Sequence, residues 1–292
     1  VAGTAARGAW SAGDPSRAGS LAALAGVRIP GRGAGRISYP ADVQADMALV
    51  NGDPRSALAH WDGETERARR EGDPIRTVQA ISALAVAQGL LGNSDAALPP
   101  TQEAVEIADA TGNPTARSMA YFSLGYLLKK SDPERALFLF DEAARLAGEV
   151  RNRWWFGIAL LEGAGTRAMH GDPAPAARML IETLDHWDRV GDWVEQWVGL
   201  RYATRFFARV GAADDAVFLH CAIANAGKPP PLRAAQLDGL VNSLGANPLE
   251  TYSASPAGGA EAVVRARSSL QRYADYAAVP AVPPSTSYEA SQ

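Results

Sequence analysis

Along most of the chain, apolar and small residues recur at helical spacing, and short polar turns interrupt them at near-constant intervals. The turns read Gly52-Asp53-Pro54, Gly72-Asp73-Pro74, Gly92-Asn93-Ser94, Gly112-Asn113-Pro114, Ser131-Asp132-Pro133, Arg151-Asn152-Arg153, Gly171-Asp172-Pro173, Gly191-Asp192-Trp193 and Gly211-Ala212-Ala213. Their first residues lie 20, 20, 20, 19, 20, 20, 20 and 20 positions apart. Gly13-Asp14-Pro15 falls 39 residues before Gly52 and belongs to the same series. Where these residues occur in the turns, glycine can close one helix, Asp or Asn can cap the next, and proline fits its first turn. A segment of 16 or 17 residues between turns makes a helix about 25 Å long. Two such helices form a unit of 39 or 40 residues that cannot bury its apolar face alone, which forces stacking. The expected fold is therefore all-α: a right-handed superhelical solenoid of antiparallel helix hairpins with a 39–40-residue period.

The pattern predicts helices over 41–51, 55–71, 75–91, 94–111, 115–130, 134–149, 154–170, 174–190, 193–210 and 213–227, with shorter ones over 1–10 and 15–26. Residues 28–40 form the longest irregular stretch before the C-terminus. Its Gly31, Gly33 and Gly35 lack the Lys-Ser/Thr ending of a phosphate loop and follow no strand, so a plain connection is expected. Pro99-Pro100 predicts a kink or a break, with a helix resuming over 102–110, because each interior proline loses a backbone bond and clashes with the preceding turn. Lys228-Pro229-Pro230-Pro231 ends the series. A further helix is expected over 232–244, with Leu237, Leu240, Val241 and Leu244 on one stripe. Residues 251–259 read as loose. A final amphipathic helix over 260–277, carrying Val263, Val264, Leu270, Tyr273 and Tyr276, could cap the open end of the stack. The chain thus divides into a helical-repeat domain (1–245), a linker with a capping helix (246–277) and a Pro- and Ser-rich tail (278–292) expected to be disordered.

Superposing the hairpins by their turns places small residues at matching points of the first helix: Ala45, Ala85, Gly125 and Ala164. The second helix carries Ala57, Ala97, Ala136, Ala176 and Ala216. Four positions later come Trp61, Thr101, Phe140, Leu180 and His220, and three beyond those Glu64, Ala104, Ala143, Thr183 and Ile223. Small sites let backbones approach, and the larger residue fills the space beside them. The hairpin from Gly112 to Arg151, with Leu124-Gly125, Ala136, Phe140 and Ala143, resembles a tetratricopeptide repeat. Its period departs from that family's usual 34 residues. The longer helices are similar to the tetratricopeptide-like C-terminal regions of large bacterial signalling ATPases and transcriptional regulators, of the LuxR/MalT type or of the kind that combines a cyclase-like domain with an ATPase. The resemblance spans Gly13 to Leu244 and is firmest from Gly171. It implies a cytoplasmic, non-enzymatic arm that senses a ligand or partner, while catalysis and DNA binding sit in other domains of the parent.

Composition agrees with a folded chain. Of 292 residues, 47% are hydrophobic, and 28 Lys and Arg stand against 32 Asp and Glu. No basic block offers a landing surface for a nucleic-acid backbone, and no apolar run approaches the roughly 20 residues that span a bilayer. Cys221 is the sole cysteine, which excludes an intrachain disulfide and any Cys-based metal knuckle. The chain starts at Val1 without an initiating Met and is expected to be a piece of something longer.

Candidate chemistry is sparse. His60, His170, His186 and His220 show no ligand spacing, so no metal is expected. His60-Trp61-Asp62 and His186-Trp187-Asp188 sit at different phases of the repeat and are not one repeated site. His170 suits the carbonyls at a helix end. Asp53, Asp73, Asp132 and Asp172 read as helix caps. Cys221 has no basic neighbour and does not read as a nucleophile. No catalytic cluster and no cofactor motif appears, and the seven tryptophans read chiefly as packing.

The first helix of each hairpin is expected to line the concave side. In register this brings out Phe122, Tyr126 and Lys129 from one helix with Arg201 and Arg205 from another, an aromatic and basic stretch suited to an acidic or aromatic peptide segment. That segment could come from a partner protein or from another domain of the parent. A small-molecule effector site, or a purely structural spacer or dimerisation module, remain the alternatives on sequence alone.

Overall fold

A computed structural model describes residues 2–24, 39–245, 248–254 and 257–275. Among these residues the secondary structure is entirely helical, in fifteen helices without a strand. The N-terminal pair is α1 (Ala2–Ser11) and α2 (Pro15–Leu24). Then follow α3 (Pro40–Val50), α4 (Pro54–Glu71), α5 (Pro74–Leu90), α6 (Ser94–Thr111), α7 (Pro114–Leu128) and α8 (Pro133–Glu149). The series continues with α9 (Arg153–His170), α10 (Pro173–Val190), α11 (Trp193–Val210) and α12 (Ala213–Asn225). Three further helices complete the fold: α13 (Ala234–Ser243), α14 (Pro248–Ala254) and α15 (Gly259–Ala274).

The helix ends follow from local chemistry. The carboxylates of Asp53, Asp73 and Asp132 accept backbone N–H bonds from Ser56, Arg76 and Arg135, and the Asn113 and Asn152 side chains cap α7 and α9 in the same way. Asp172 occupies the cap position of α10 but makes no side-chain cap bond, unlike its counterparts. Gly72 (φ 64) and Gly191 (φ 75) end their helices in the left-handed conformation that glycine adopts without strain. Gly171 instead is extended, with φ −95 and ψ 178.

Pro99 and Pro100 do not break α6, which runs unbroken from Ser94 to Thr111. Both prolines fall in its first two turns, and Ala97, Thr101, Ala104 and Ala108 are buried against neighbouring helices, which holds the segment helical despite the lost bonds. The stretch expected to be loose, 251–259, is entered by α14 (Pro248–Ala254), again opened by a proline at its first position. Residues 28–38, Tyr276 and the tail from 278 lie outside the described residues.

From α1 to α13 each helix packs on its sequence neighbour, α14 packs on α12, and α5, α7, α9 and α11 also touch one another in series. The small sites named above are buried throughout. Gly125 shows why: a Cβ there would meet the Phe140 ring at 3.0 Å and the Ala136 carbonyl at 3.2 Å, so only glycine allows α7 and α8 this approach. Of the position filled by Ala104, Ala143, Thr183 and Ile223, only Glu64 is not buried. Helix α15 lies across α10, α11 and α12, and its Ala262, Val263, Ala266 and Leu270 join their core.

The N-terminal pair makes a contact that no local pattern announces. Ala6, Ala9 and Trp10 pack with Val194 at the start of α11, and Gly13 lies against the Trp193 side chain. The Ser11 side chain also bonds the buried Asp192 cap of α11. Helix α1 therefore touches both α3 and α11, closing a circuit of helix contacts that runs through α3, α4, α5, α7, α9 and α11.

Candidate functional site

The groove residues expected from the sequence come from α7 and α11, with α9 between them. Three of them are electrostatically connected: the Lys129 ammonium sits 3.6 Å from the Tyr126 ring centroid, and Arg201 lies close enough to Tyr126 to affect its ionisation. Phe122 differs from expectation. It is buried in an aromatic cluster, with ring centroids 5.6 Å from Trp155, 6.0 Å from Phe140 and 6.1 Å from Tyr126. It supports the site from beneath and offers no surface to a ligand, because the large α8 and α9 side chains close over it.

Lys129 is also less available than a row of free cations requires. Its Nζ donates to Glu162 at 2.7 Å, and the Tyr202 hydroxyl donates to the same carboxylate at 2.9 Å. Burial alone would depress the Lys129 ammonium, but Glu162 and Tyr202 more than offset this, and its pKa is raised. Burial, with Glu162 nearby, pushes the Tyr126 and Tyr202 phenols up. General acid–base chemistry calls for a lysine or tyrosine tuned toward neutrality, and these are tuned away from it.

Glycines of the preceding helices make room for both tyrosines. A Cβ on Gly89 of α5 would lie 2.9 Å from the Tyr126 ring, and one on Gly165 of α9 would lie 2.5 Å from the Tyr202 ring. Glu162 was not among the residues drawn from the repeat register, which selected other positions of α9. Its available signal is chemical: a lone carboxylate inside the apolar run Leu160-Leu161-Glu162-Gly163-Ala164 needs partners when that run is buried.

A second carboxylate further changes the expected basic character. Burial, together with Asp192, Glu162 and Asp46, pushes the Glu195 carboxyl from an ordinary 4.5 up to about 8, with Arg7 acting in the opposite direction. Burial likewise raises Asp46, although Arg7 pairs with it. The inner faces of α3, α9 and α11 thus carry carboxylates within electrostatic reach of one another.

Arg201 and Arg205 lie one turn apart on α11. The Arg201 guanidinium is half-buried, and its Nε is buried with no hydrogen-bond partner among the described residues. Burial and Arg205 both lower its pKa. Arg205 donates from Nε to the Pro231 carbonyl at 3.2 Å. It also borders a cavity of about 720 Å³ with Met169, Arg209, Leu232, Arg233 and Leu240.

The remaining candidates are accounted for structurally. His60 bonds Asp42 at 2.9 Å within a network in which Arg76, 6% exposed, grips Asp42 with both terminal nitrogens and also reaches Glu64. His170 is exposed at the end of α9, and His220 is buried, which lowers its pKa. Trp10, Trp61 and Trp187 are buried, while Trp193 and Trp197 lie under Gly259 of α15. Among the described residues no group of three His, Cys, Asp or Glu side chains could hold a metal ion, and no helix is long and apolar enough to cross a membrane. Comparison with protein-family models and with curated proteins finds no match for this chain.

Proposed function

We propose that this chain is a non-enzymatic interaction scaffold, a right-handed superhelical stack of helix pairs with a 39–40-residue repeat, similar to tetratricopeptide domains. It receives a peptide segment of a partner protein, or of another domain of its parent, along the edge of α11. The observation that carries this reading is Arg201: a half-buried guanidinium with an unpartnered Nε, beside a second arginine and within reach of Tyr126. Among the described residues the Arg201 guanidinium makes no hydrogen bond or salt bridge, and an Asp or Glu of a bound segment would pair with its outer nitrogens. An array of acidic, neutral and basic peptides tests this directly. Acidic peptides are expected to bind, and Arg201→Gln with Arg205→Gln to weaken them by about tenfold or more. Equal binding of all three classes, or unchanged affinity in a folded double variant, rejects it.

A second reading is a small-molecule effector arm. The cavity of about 720 Å³ beside Arg205 favours it, since its size and its mixture of apolar and cationic groups suit a compact anionic ligand. In that case a small carboxylate competes with the peptide for Arg205.

A further inference from the structure

One turn of the series breaks the pattern in sequence while keeping it in geometry. Where every other turn of the series carries Gly, Pro or both, the α8–α9 turn reads Arg151-Asn152-Arg153. Arg151 has φ 55, the left-handed value of Gly112 (φ 62) in Gly112-Asn113-Pro114, and among the described residues it is the non-glycine residue with positive φ. The Asn152 N–H bonds the Ala147 carbonyl at 2.9 Å, the same five-residue return that Asp73 makes to Ala68 and Asp192 to Trp187. An arginine thus occupies a place where glycine would sit unstrained, and local folding gains nothing from it. Strain retained in this way points to a use for the side chain.

The neighbourhood supplies that use. Gly157 lets α10 press against the first turn of α9, for a Cβ there would lie 2.4 Å from the His186 ring and 2.7 Å from Trp187. His186 consequently bonds the Arg153 carbonyl at 2.9 Å through Nε2. This brings the end of α10, with Arg189, beside the α8–α9 turn. Between them lies a cavity of about 560 Å³ bordered by Arg151, Arg153, Phe156, His186 and Arg189. Burial first, then the charges of Arg189 and Arg153, hold the His186 pKa down, so both cations act on this space. Among the described residues none of the three arginines forms a salt bridge, although arginines elsewhere pair widely with carboxylates.

We propose that this cleft is a binding site for a small organic polyanion, a molecule bearing phosphate or carboxylate groups close enough together to meet all three arginines. Guanidinium groups recognise both anions through paired hydrogen bonds, and Phe156 supplies an apolar wall for the ligand's body. The volume suits a small molecule. The site is separate from the α11 edge, so its failure leaves the peptide reading untouched.

The test titrates the full chain with pyrophosphate and, separately, with citrate, by calorimetry at ionic strength matched with potassium chloride. Saturable binding of at least one anion is expected. Pyrophosphate alone assigns the site to phosphates, citrate alone to carboxylates, and both to either chemistry. Arg151→Gly with Arg153→Pro rebuilds the Gly-Asn-Pro turn found at residues 112–114, and the Asn152 backbone (φ −80, ψ 87) falls between the ψ values of Asp53 (ψ 68) and Asp73 (ψ 93), which already precede Pro54 and Pro74. That double variant should fold at least as well as the parent yet bind about tenfold or more weakly, as should Arg189→Gln. Absence of saturable binding by either anion at millimolar concentration, or undiminished affinity in both variants, overturns the proposal.

Discussion

Gly165 and Tyr202 are in direct opposition across the α9–α11 interface: a Cβ on Gly165 would fall 2.5 Å from the tyrosine ring, whose hydroxyl bonds Glu162 three residues earlier on α9. The glycine is there for the tyrosine. Gly165→Ala should displace the ring, break its bond to Glu162 and cost about 1–3 kcal/mol, the usual penalty of overpacking. Gly63→Ala serves as the contrast, since nothing lies within 4 Å of a Cβ at that helical position. It should stabilise by roughly 0.5–1 kcal/mol. Urea unfolding of the two variants checks the opposite signs.

Arg76 holds α3, α4 and α5 together through Asp42 and Glu64. Burial would push the Asp42 carboxyl up, but the His60 and Arg76 bonds outweigh it and hold Asp42 below the ordinary range. Arg76→Leu leaves that buried carboxylate with only His60 and the Tyr39 backbone N–H, without its buried cation, and should cost about 3–5 kcal/mol. Adding Asp42→Leu should recover part of the loss, because the uncompensated charge is then gone. A further loss in the double variant, read from denaturant midpoints, would contradict this account.

Glu195 sets a pH dependence of defined sign. Its pKa rises from 4.5 to about 8 on folding, so over that window the folded protein keeps a proton that the unfolded chain releases. Its contribution to stability is therefore fully present below the lower value and is lost as pH rises through the higher one. Glu195→Gln stays neutral and removes this dependence. Wild-type stability relative to the variant should fall steadily between about pH 5 and pH 8 in paired urea titrations. A flat difference would mean that burial, with Asp192, Glu162 and Asp46 nearby, does not raise it as described.

Cys221 is 7% exposed, and burial raises its thiol pKa. Both effects suppress the reactive thiolate. Reaction with a chromogenic disulfide should be slow in the native protein and at least tenfold faster in concentrated urea. Rapid native labelling would show that α12 opens readily.

The parts of this molecule legible in its sequence are those governed by a few adjacent residues. Asp53, Asp73 and Asp132 were recognisable as caps because an acceptor before a helix meets donors only three residues away. Asp172 looks the same in sequence, but its side chain makes no cap bond where the preceding Gly171 is extended. Pro99-Pro100 misleads for a related reason: the local penalty is real, but packing on two neighbouring helices outweighs it. Phe122 and Lys129 had the right positions for a groove, yet whether they face a ligand depended on Phe140, Trp155 and Glu162, which arrive from other helices.

Helix identity, helix ends and the small sites where helices meet were thus set by the order of residues along the chain, since backbone hydrogen bonding and side-chain size act over one or two turns. The grip of Arg76 on Asp42, the Lys129–Glu162–Tyr202 cluster, the gathering of Arg151, Arg153 and Arg189 and the docking of α1 on α11 were decided in three dimensions. Charges and rings separated by tens of residues act on one another only once packing has brought them within a few ångströms, and their spacing along the chain does not reveal which of them will meet.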